Sequence, residues 1–357
     1  MHLFIDISSH GFGHLAITGP VLNALAQRFP DLRLTVRSGL PTEKLRQRIQ
    51  APFHHIQAAS DFGYLMVNAL VIDHAATAEA YRDAHADWEA RVEKEATFLT
   101  ALAPDYVLTN VSYLPLAGAE RAGIPAASLC SLNWAELFAH SYGRKPWAAP
   151  IHVQMLAAYR SARAFLRTTP GMPMADLSNV VTVGPIAKLG EQRNLGLGNG
   201  VRSVLVALGG IDHRLPVENW PRHPNLRWLV PESWWVEHPD AAPLESFNLS
   251  FTDLLCSVDA VLTKPGYGTF TEAACNGTPV LYQRRQDWPE QNCLIEWLEG
   301  EGNCLEVPED AITEGRLADA LAELAAQPRK APPVPVGAQE AADFLAGEIT
   351  ATCSRSA

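Results

Sequence analysis

No two of the six cysteines stand at Cys-x-x-Cys spacing, and several lie in apolar runs. That excludes the common zinc and redox motifs and predicts reduced, mostly buried thiols in a cytoplasmic protein. No apolar run approaches the ~18 residues of a membrane-spanning helix. The N-terminus enters a strand-like run, Leu3 to Ile7, with no charged leader or long apolar segment before it, so no signal peptide is expected. Basic residues are in deficit: 28 Lys and Arg face 39 Asp and Glu, a formal net charge of -11. Such a balance argues against duplex nucleic acid as the main partner, although a local basic pocket can still hold phosphate. No Asp-x-Asp pair occurs, and Asp83 and Asp87 fall inside a helical run, so neither a metal nor a resident cofactor is expected. Solenoid repeats and coiled-coil heptads are also missing. With 357 residues, 47% hydrophobic and 19% charged, the chain reads as an ordinary globular protein of about two domains.

What the chain does carry is glycine in two telling places. Asp259 to Thr263 reads as a short buried strand. Gly266 and Gly268 follow, then Thr269 and a helical run with Glu272 near its start. Gly277 closes that run, and residues 279–282 begin another strand. Glycines let the backbone approach a ligand closely, and a helix N-terminus offers free N–H groups to phosphate. Glu272 is placed to hold ribose hydroxyls. The competing reading is a tight strand-to-helix turn with a capping glutamate.

The second place is the loop Ser8 to His14, which holds Gly11 and Gly13. It joins a strand at 3–7 to a helix carrying Val21, Leu22, Leu25 and Phe29 on one face, and 32–37 is the next strand. Strand, glycine loop, helix, strand opens a doubly wound α/β domain, where ligands bind beyond the carboxyl ends of the strands. His14 lies at such an end. An imidazole can act as a general base near neutral pH, so His14 is the candidate catalytic residue, with His10 beside it.

The rest falls into place around these turns. Asp61 and Asp73 belong to residues 53–75, which show little regular pattern and read as a substrate loop. Residues 77–103 are expected as one long helix, with Trp88 packed rather than binding ligand. Strands at 105–110 and 124–130 put Asn110 and Asn133 at or just past their ends; Asn133 reads equally well as a helix N-cap. A helix over 151–166 ends the first half, and the aperiodic stretch 168–190 reads as an inter-domain connection. A second α/β unit opens with a strand at 204–208 that ends in Gly209-Gly210, where Pro216 and Pro221 interrupt the helix that should follow. Beyond 279–282, Arg284 or Arg285 can meet phosphate, while Asp287 and Gln291 can hydrogen-bond a sugar; the competing reading is a solvated loop. A final helix at 338–350 is long enough to pack back on the first domain. The expected domains are 1–168 and 186–330.

Two α/β halves, each with a glycine loop after its first strand, resemble the GT-B glycosyltransferase architecture: two Rossmann-like doubly wound domains facing across a cleft. The loop Ser9 to His14 resembles the N-terminal glycine loop of the peptidoglycan GlcNAc transferases, and Gly266 to Leu281 resembles their donor-nucleotide motif. Similarity to the glycosyltransferase-like N-terminal region of the plant L-arabinokinases runs across most of the chain. It includes the His-Gly-Phe-Gly-His loop, the Asp61 and Asp73 region, Gly209-Gly210, Lys264 with Gly266 to Thr269, and Arg284-Arg285. The kinase half of those proteins, with its own phosphate loop, has no counterpart here, so kinase activity is not expected. The same histidine loop also resembles that of a nucleotide-sugar hydrolase, whose Gly-Gly-Thr-Asp is similar to Gly209 to Asp212.

The resemblance implies a metal-independent transfer of sugar from a nucleoside diphosphate-sugar, UDP-linked, to an unknown acceptor hydroxyl, with inversion. The donor would sit on the second domain at Gly209, Gly210, Lys264, Gly266, Gly268, Thr269 and Glu272, with Arg284, Arg285, Asp287 and Gln291 nearby. The acceptor side would be His10, Gly11, Gly13, Asp61, Asp73, Asn110 and Asn133, with His14 as base. The alternatives are a hydrolase in which water takes the acceptor's place, and a sugar-nucleotide-binding protein without turnover.

Overall fold

The computed structural model describes residues 1–211 and 213–356, with side chains through Ala351. The first half runs β1 (His2–Ile7), α1 (Phe12–Arg28), β2 (Arg33–Ser38), α2 (Thr42–Arg46), β3 (Phe53–Gln57), α3 (His74–Ala86), α4 (Trp88–Leu102) and β4 (Tyr106–Asn110). It continues through α5 (Leu114–Ala122), β5 (Ala126–Cys130), α6 (Trp134–Tyr142), α7 (Ala148–Ser161), β6 (Ala164–Thr168) and β7 (Val180–Val183). Among the described residues these strands form one parallel sheet in the order β3-β2-β1-β4-β5-β6-β7.

The second half runs β8 (Arg202–Ala207), β9 (Leu226–Val230), β10 (Ala241–Pro243), α8 (Phe251–Ser257), β11 (Ala260–Thr263), α9 (Tyr267–Asn276), β12 (Val280–Tyr282), α10 (Glu290–Glu301) and β13 (Cys304–Glu306). Helices α11 (Glu309–Glu314), α12 (Ala318–Ala326) and α13 (Gly337–Ser356) complete it. Its sheet is also parallel, in the order β10-β9-β8-β11-β12-β13.

Both sheets are covered on both faces, which is why their strands read as near-continuous apolar runs. Every residue of β1 is buried. In β8, Leu205 joins the large core, while Val204 and Val206 point to a smaller one with Trp228 and Leu262. Helix α13 returns to the first sheet, packing on α1 and β7 through Ala341, Leu345 and Ile349.

Strand order reverses between β1 and β4, and again between β8 and β11. The register pairs Ile7 with Asn110 and Ala207 with Thr263, so each pair of strands ends together. A crevice opens beyond such a reversal, and both glycine loops lie there.

Four segments differ from the sequence reading. The helix expected over 151–166 ends at Ser161, where Ala162 turns to extended geometry (φ -65, ψ 146), and residues 164–168 form strand β6. The helix expected over 77–103 is two helices, because Asp87 leaves helical geometry (φ -117, ψ 46). The turn lets His85 stack on Trp88 at 4.8 Å, and Trp88 is packed as expected. The edge strand β3 lies inside residues 53–75; only partly buried, it lacks the apolar pattern of a central strand. Strand β7 lies inside 168–190, so the first sheet continues past residue 168. After Gly209-Gly210, the short turn Val217–Asn219 stands where a helix would be, next to Pro216.

Candidate active site

A cavity of 540 Å³ lies between the two sheets. From the first half it is lined by His10, Gly11, Gly13 and His14. The second half contributes Gly209 and Gly210 at one strand end, then Lys264, Gly266, Gly268 and Thr269 at the next. Glu272 and Arg285 also line it. Asp212 lies outside the described residues.

The helices that start at the cleft touch each other. A Cβ on Gly268 would stand 3.0 Å from the Ala16 Cβ and 3.6 Å from the Gly13 Cα, so glycine there lets α9 approach α1. Gly209 has φ +90, a conformation that favours glycine, and Lys264 Nζ lies 3.6 Å from where its Cβ would be.

His14 is buried in the first turn of α1. Asn110 at the end of β4 donates its Nδ2–H to the His14 carbonyl at 3.2 Å, which turns Oδ1 toward the ring. Oδ1 lies 2.8 Å from His14 Nδ1, so Nδ1 carries the proton and Nε2 keeps its lone pair. Burial lowers the His14 pKa from its ordinary 6.5, against the Asn110 bond and Glu290, so the ring is neutral at pH 7. His10 is lowered further, by burial first and then by His14, Arg285 and Lys264. Its ring lies parallel to Trp288 at 5.6 Å and edge-on to Trp134.

Lys264 is pulled down to about 7, by burial and then by the charge of Arg285, with Glu290 opposing. The Arg285 Cζ lies over the Trp288 ring, 3.7 Å from its centroid, and the side chain is pulled down to about 10 by burial, with Glu290 opposing. Glu290 accepts from Ser131 Oγ at 2.6 Å and from Trp288 Nε1 at 2.9 Å, joining the two halves. Glu272 lies in the second turn of α9, a turn later than its sequence position suggests, and both its oxygens accept from Arg48.

Other predicted residues lie off the cleft lining. Arg284 is half-exposed and pairs with Glu306. Asp287 is exposed and bridges His74 and His140. Gln291 holds the 285 backbone through bonds to its N–H and carbonyl. Asp73 caps α3 and Asn133 caps α6, so the N-cap reading of Asn133 is the one observed. Asp61 sits behind Trp134, accepting its indole N–H at 2.8 Å; burial and the nearby Asp6 raise its pKa to about 6. Arg48, Ser131, Trp288 and Glu290 also line the cleft and were missed: Arg48 and Ser131 meet the second half across the cleft, at Glu272 and Glu290, which no local pattern records. Among the described residues, no group of three or more His, Cys, Asp or Glu is arranged to hold a metal ion.

No protein-family model matches the chain. Among curated proteins, L-arabinokinase of Arabidopsis thaliana is 24% identical over 312 residues, covering 82% of this chain and 29% of that protein. The chain therefore spans less than a third of this relative's length. The resemblance read from the motifs thus extends over most of the chain. A kitacinnamycin glycotransferase structure matches with TM-score 0.61 and 17% identity, over 98% of this chain and 95% of that one. Arabidopsis thaliana UGT89C1 complexed with UDP matches at 0.57 and 15%, over 98% and 99%. A UDP-N-acetylglucosamine 2-epimerase matches at 0.54 and 12%, over 98% and 96%. The fold is GT-B, as the two glycine loops implied.

Proposed function

We propose that this protein is a glycosyltransferase that moves a sugar from a UDP-linked donor to an acceptor hydroxyl, with inversion and without a metal ion. The observation that carries the reading is the pairing, across one cleft, of the His14–Asn110 dyad with a glycine turn that holds Lys264. The donor lies on the second domain, its ribose at Glu272 and its diphosphate at Lys264 and the N-terminus of α9. His14 Nε2 takes the proton of the acceptor hydroxyl. The acceptor oxygen bonds to the anomeric carbon as the bond from that carbon to the diphosphate breaks, and the leaving diphosphate keeps the electron pair. Lys264 and the free N–H groups at the start of α9 stabilise the charge that develops there. Attack opposite the leaving group inverts the anomeric centre.

The glycosyltransferase among the matched structures and the UDP complex support this reading. The five described cysteines are free, in line with a reducing, cytoplasmic setting. No helix of the described residues is long and apolar enough to cross a membrane.

The test is to incubate the protein with UDP-sugars, with and without candidate alcohol acceptors, and to follow UDP release and the fate of the sugar by mass spectrometry. Acceptor-dependent UDP release with the sugar joined to the acceptor supports the proposal. Free sugar would mean that water attacks, and binding with no turnover would mean a non-catalytic protein.

A pH dependence follows from Lys264. In the free protein its ammonium loses its proton as pH rises through about 7. A bound diphosphate favours the charged form. UDP-sugar affinity is therefore expected to be flat below pH 7 and to weaken by up to about tenfold per unit above it. Binding at pH 8 should take up a proton, seen by calorimetry in two buffers of different ionisation enthalpy.

A further inference from the structure

Arg285 lines the cleft and is 6% exposed. Its Nε and Nη2 are buried, and neither has a hydrogen-bond partner among the described residues. These two nitrogens form one edge of the guanidinium, where an Nε–H and an Nη2–H run parallel. A buried cation with that edge unpaired is costly unless a ligand completes it. The rest of the residue is held in place. Gln291 accepts from its backbone N–H at 2.8 Å and donates to its carbonyl at 3.0 Å. Its Cζ lies over the Trp288 ring, and the Trp288 indole is fixed on Glu290. Glu290 offsets the charge but leaves the edge free, because its oxygens accept from Ser131 and Trp288.

The diphosphate has a cation of its own. Lys264 Nζ lies 3.6 Å from the Cβ positions of both Gly209 and Gly266, between the two glycine turns and beside the start of α9. Arg285 follows the next strand, β12, and stands against Trp288. The other neighbour of Trp288 is the parallel ring of His10, whose centre is 6.4 Å from that of His14. His10 Nε2 is a third buried atom without a partner. Arg285 and His10 thus flank the part of the cleft next to the proposed base, where the sugar would lie. A guanidinium edge fits two oxygens held in one plane, as a carboxylate holds them. We propose that the donor sugar carries a carboxylate and that the Nε–Nη2 edge of Arg285 receives it, so that the substrate class is a UDP-uronic acid. This rests on the reading of the cleft as a UDP-sugar site.

The experiment measures calorimetric Kd values for UDP and for two pairs of donors that differ only at C6: UDP-glucose with UDP-glucuronate, and UDP-galactose with UDP-galacturonate. Wild type, Arg285→Met and Arg285→Lys are compared at pH 6, where Lys264 is charged. Wild type is expected to prefer the uronate by about 10- to 100-fold in at least one pair, since the bonds join two charged groups. Arg285→Met should lose that preference while UDP and the neutral donors stay within about twofold. Arg285→Lys keeps a charge but not the parallel edge and should lose most of the preference; it also carries the test if Arg285→Met does not fold. UDP binding with no preference in either pair overturns the proposal and leaves the UDP-sugar reading intact. Arg285→Met that weakens UDP, neutral donor and uronate by one factor also overturns it, since Arg285 would then serve the diphosphate. Full preference in Arg285→Lys would mean that charge alone selects and would remove the edge from the account. A wild type that binds none of the five ligands overturns the underlying reading and this inference together.

Discussion

Replacing His14 with alanine is expected to lower kcat by about 100- to 10,000-fold while the Kd for UDP stays within about twofold. The split follows from where the ring sits. His14 belongs to α1 of the first domain, and the nucleotide is proposed to lie on the second. The Asn110 amide holds the proton on Nδ1 and leaves the Nε2 lone pair unused by that bond, so a ring proposed to act on the acceptor has no expected part in holding the donor. The same geometry sets the pH profile. A base must be unprotonated, and burial holds this imidazole below 6.5. The rate should therefore be level through pH 7 and above, apart from the loss of donor affinity tied to Lys264. It should fall about tenfold per unit once pH drops below the pKa of His14. Initial rates at saturating donor separate the two effects. A His14→Ala protein that keeps its kcat would remove the base from the account.

Arg37→Met is expected to be the most destabilising single change considered, costing about 3–5 kcal/mol of unfolding free energy. Arg37 on β2 is buried, and its Nε donates to Asp6 at 2.5 Å. Its two Nη groups donate to Glu95 on α4 at 3.1 and 2.6 Å. The guanidinium also lies 5.2 Å from the ring centroids of Phe4 and Phe98. Burial disfavours its charge, but Asp6 and Glu95 outweigh burial and raise its pKa. Without the cation, the buried carboxylates of Asp6 and Glu95 lose their shared counter-charge, and among the described residues Asp6 keeps only the Ser60 hydroxyl at 2.6 Å. Urea unfolding should show the loss as a lower midpoint. Arg37→Lys, which keeps the charge but not the five-donor fork, should recover part of it. The consequence reaches the cleft because Asp6 is next to last in β1, which leads through His10 to the start of α1 and His14. A midpoint within error of wild type would mean that the pair is not what holds β1, β2 and α4 together.

Much of this was legible in the sequence, for a physical reason. Both glycine turns follow strands buried on both faces, and such strands are continuous apolar runs. The turns therefore announced the two crevices, and with them His14, Gly209, Lys264 and Gly268. The sequence could not say which of two adjacent arginines faces inward. Arg285 turns into the cleft over Trp288, while Arg284 turns out to Glu306. Polar residues just before helices were also ambiguous, because the chemistry that binds a ligand also caps a helix. Asp73 and Asn133 took the cap. Contacts between the halves left no trace in local pattern: Arg48 and Glu272 are 224 positions apart.

The measurement that tests the central claim most directly is a thermal-shift panel of UDP, GDP, dTDP, CDP and ADP on wild type and Glu272→Ala. A ligand that binds only the native state raises the melting temperature by mass action. The account expects UDP to raise the wild-type melting temperature and to lose that effect in Glu272→Ala. If no nucleotide shifts the wild type, the cleft is not a sugar-nucleotide site, and the fold serves another ligand.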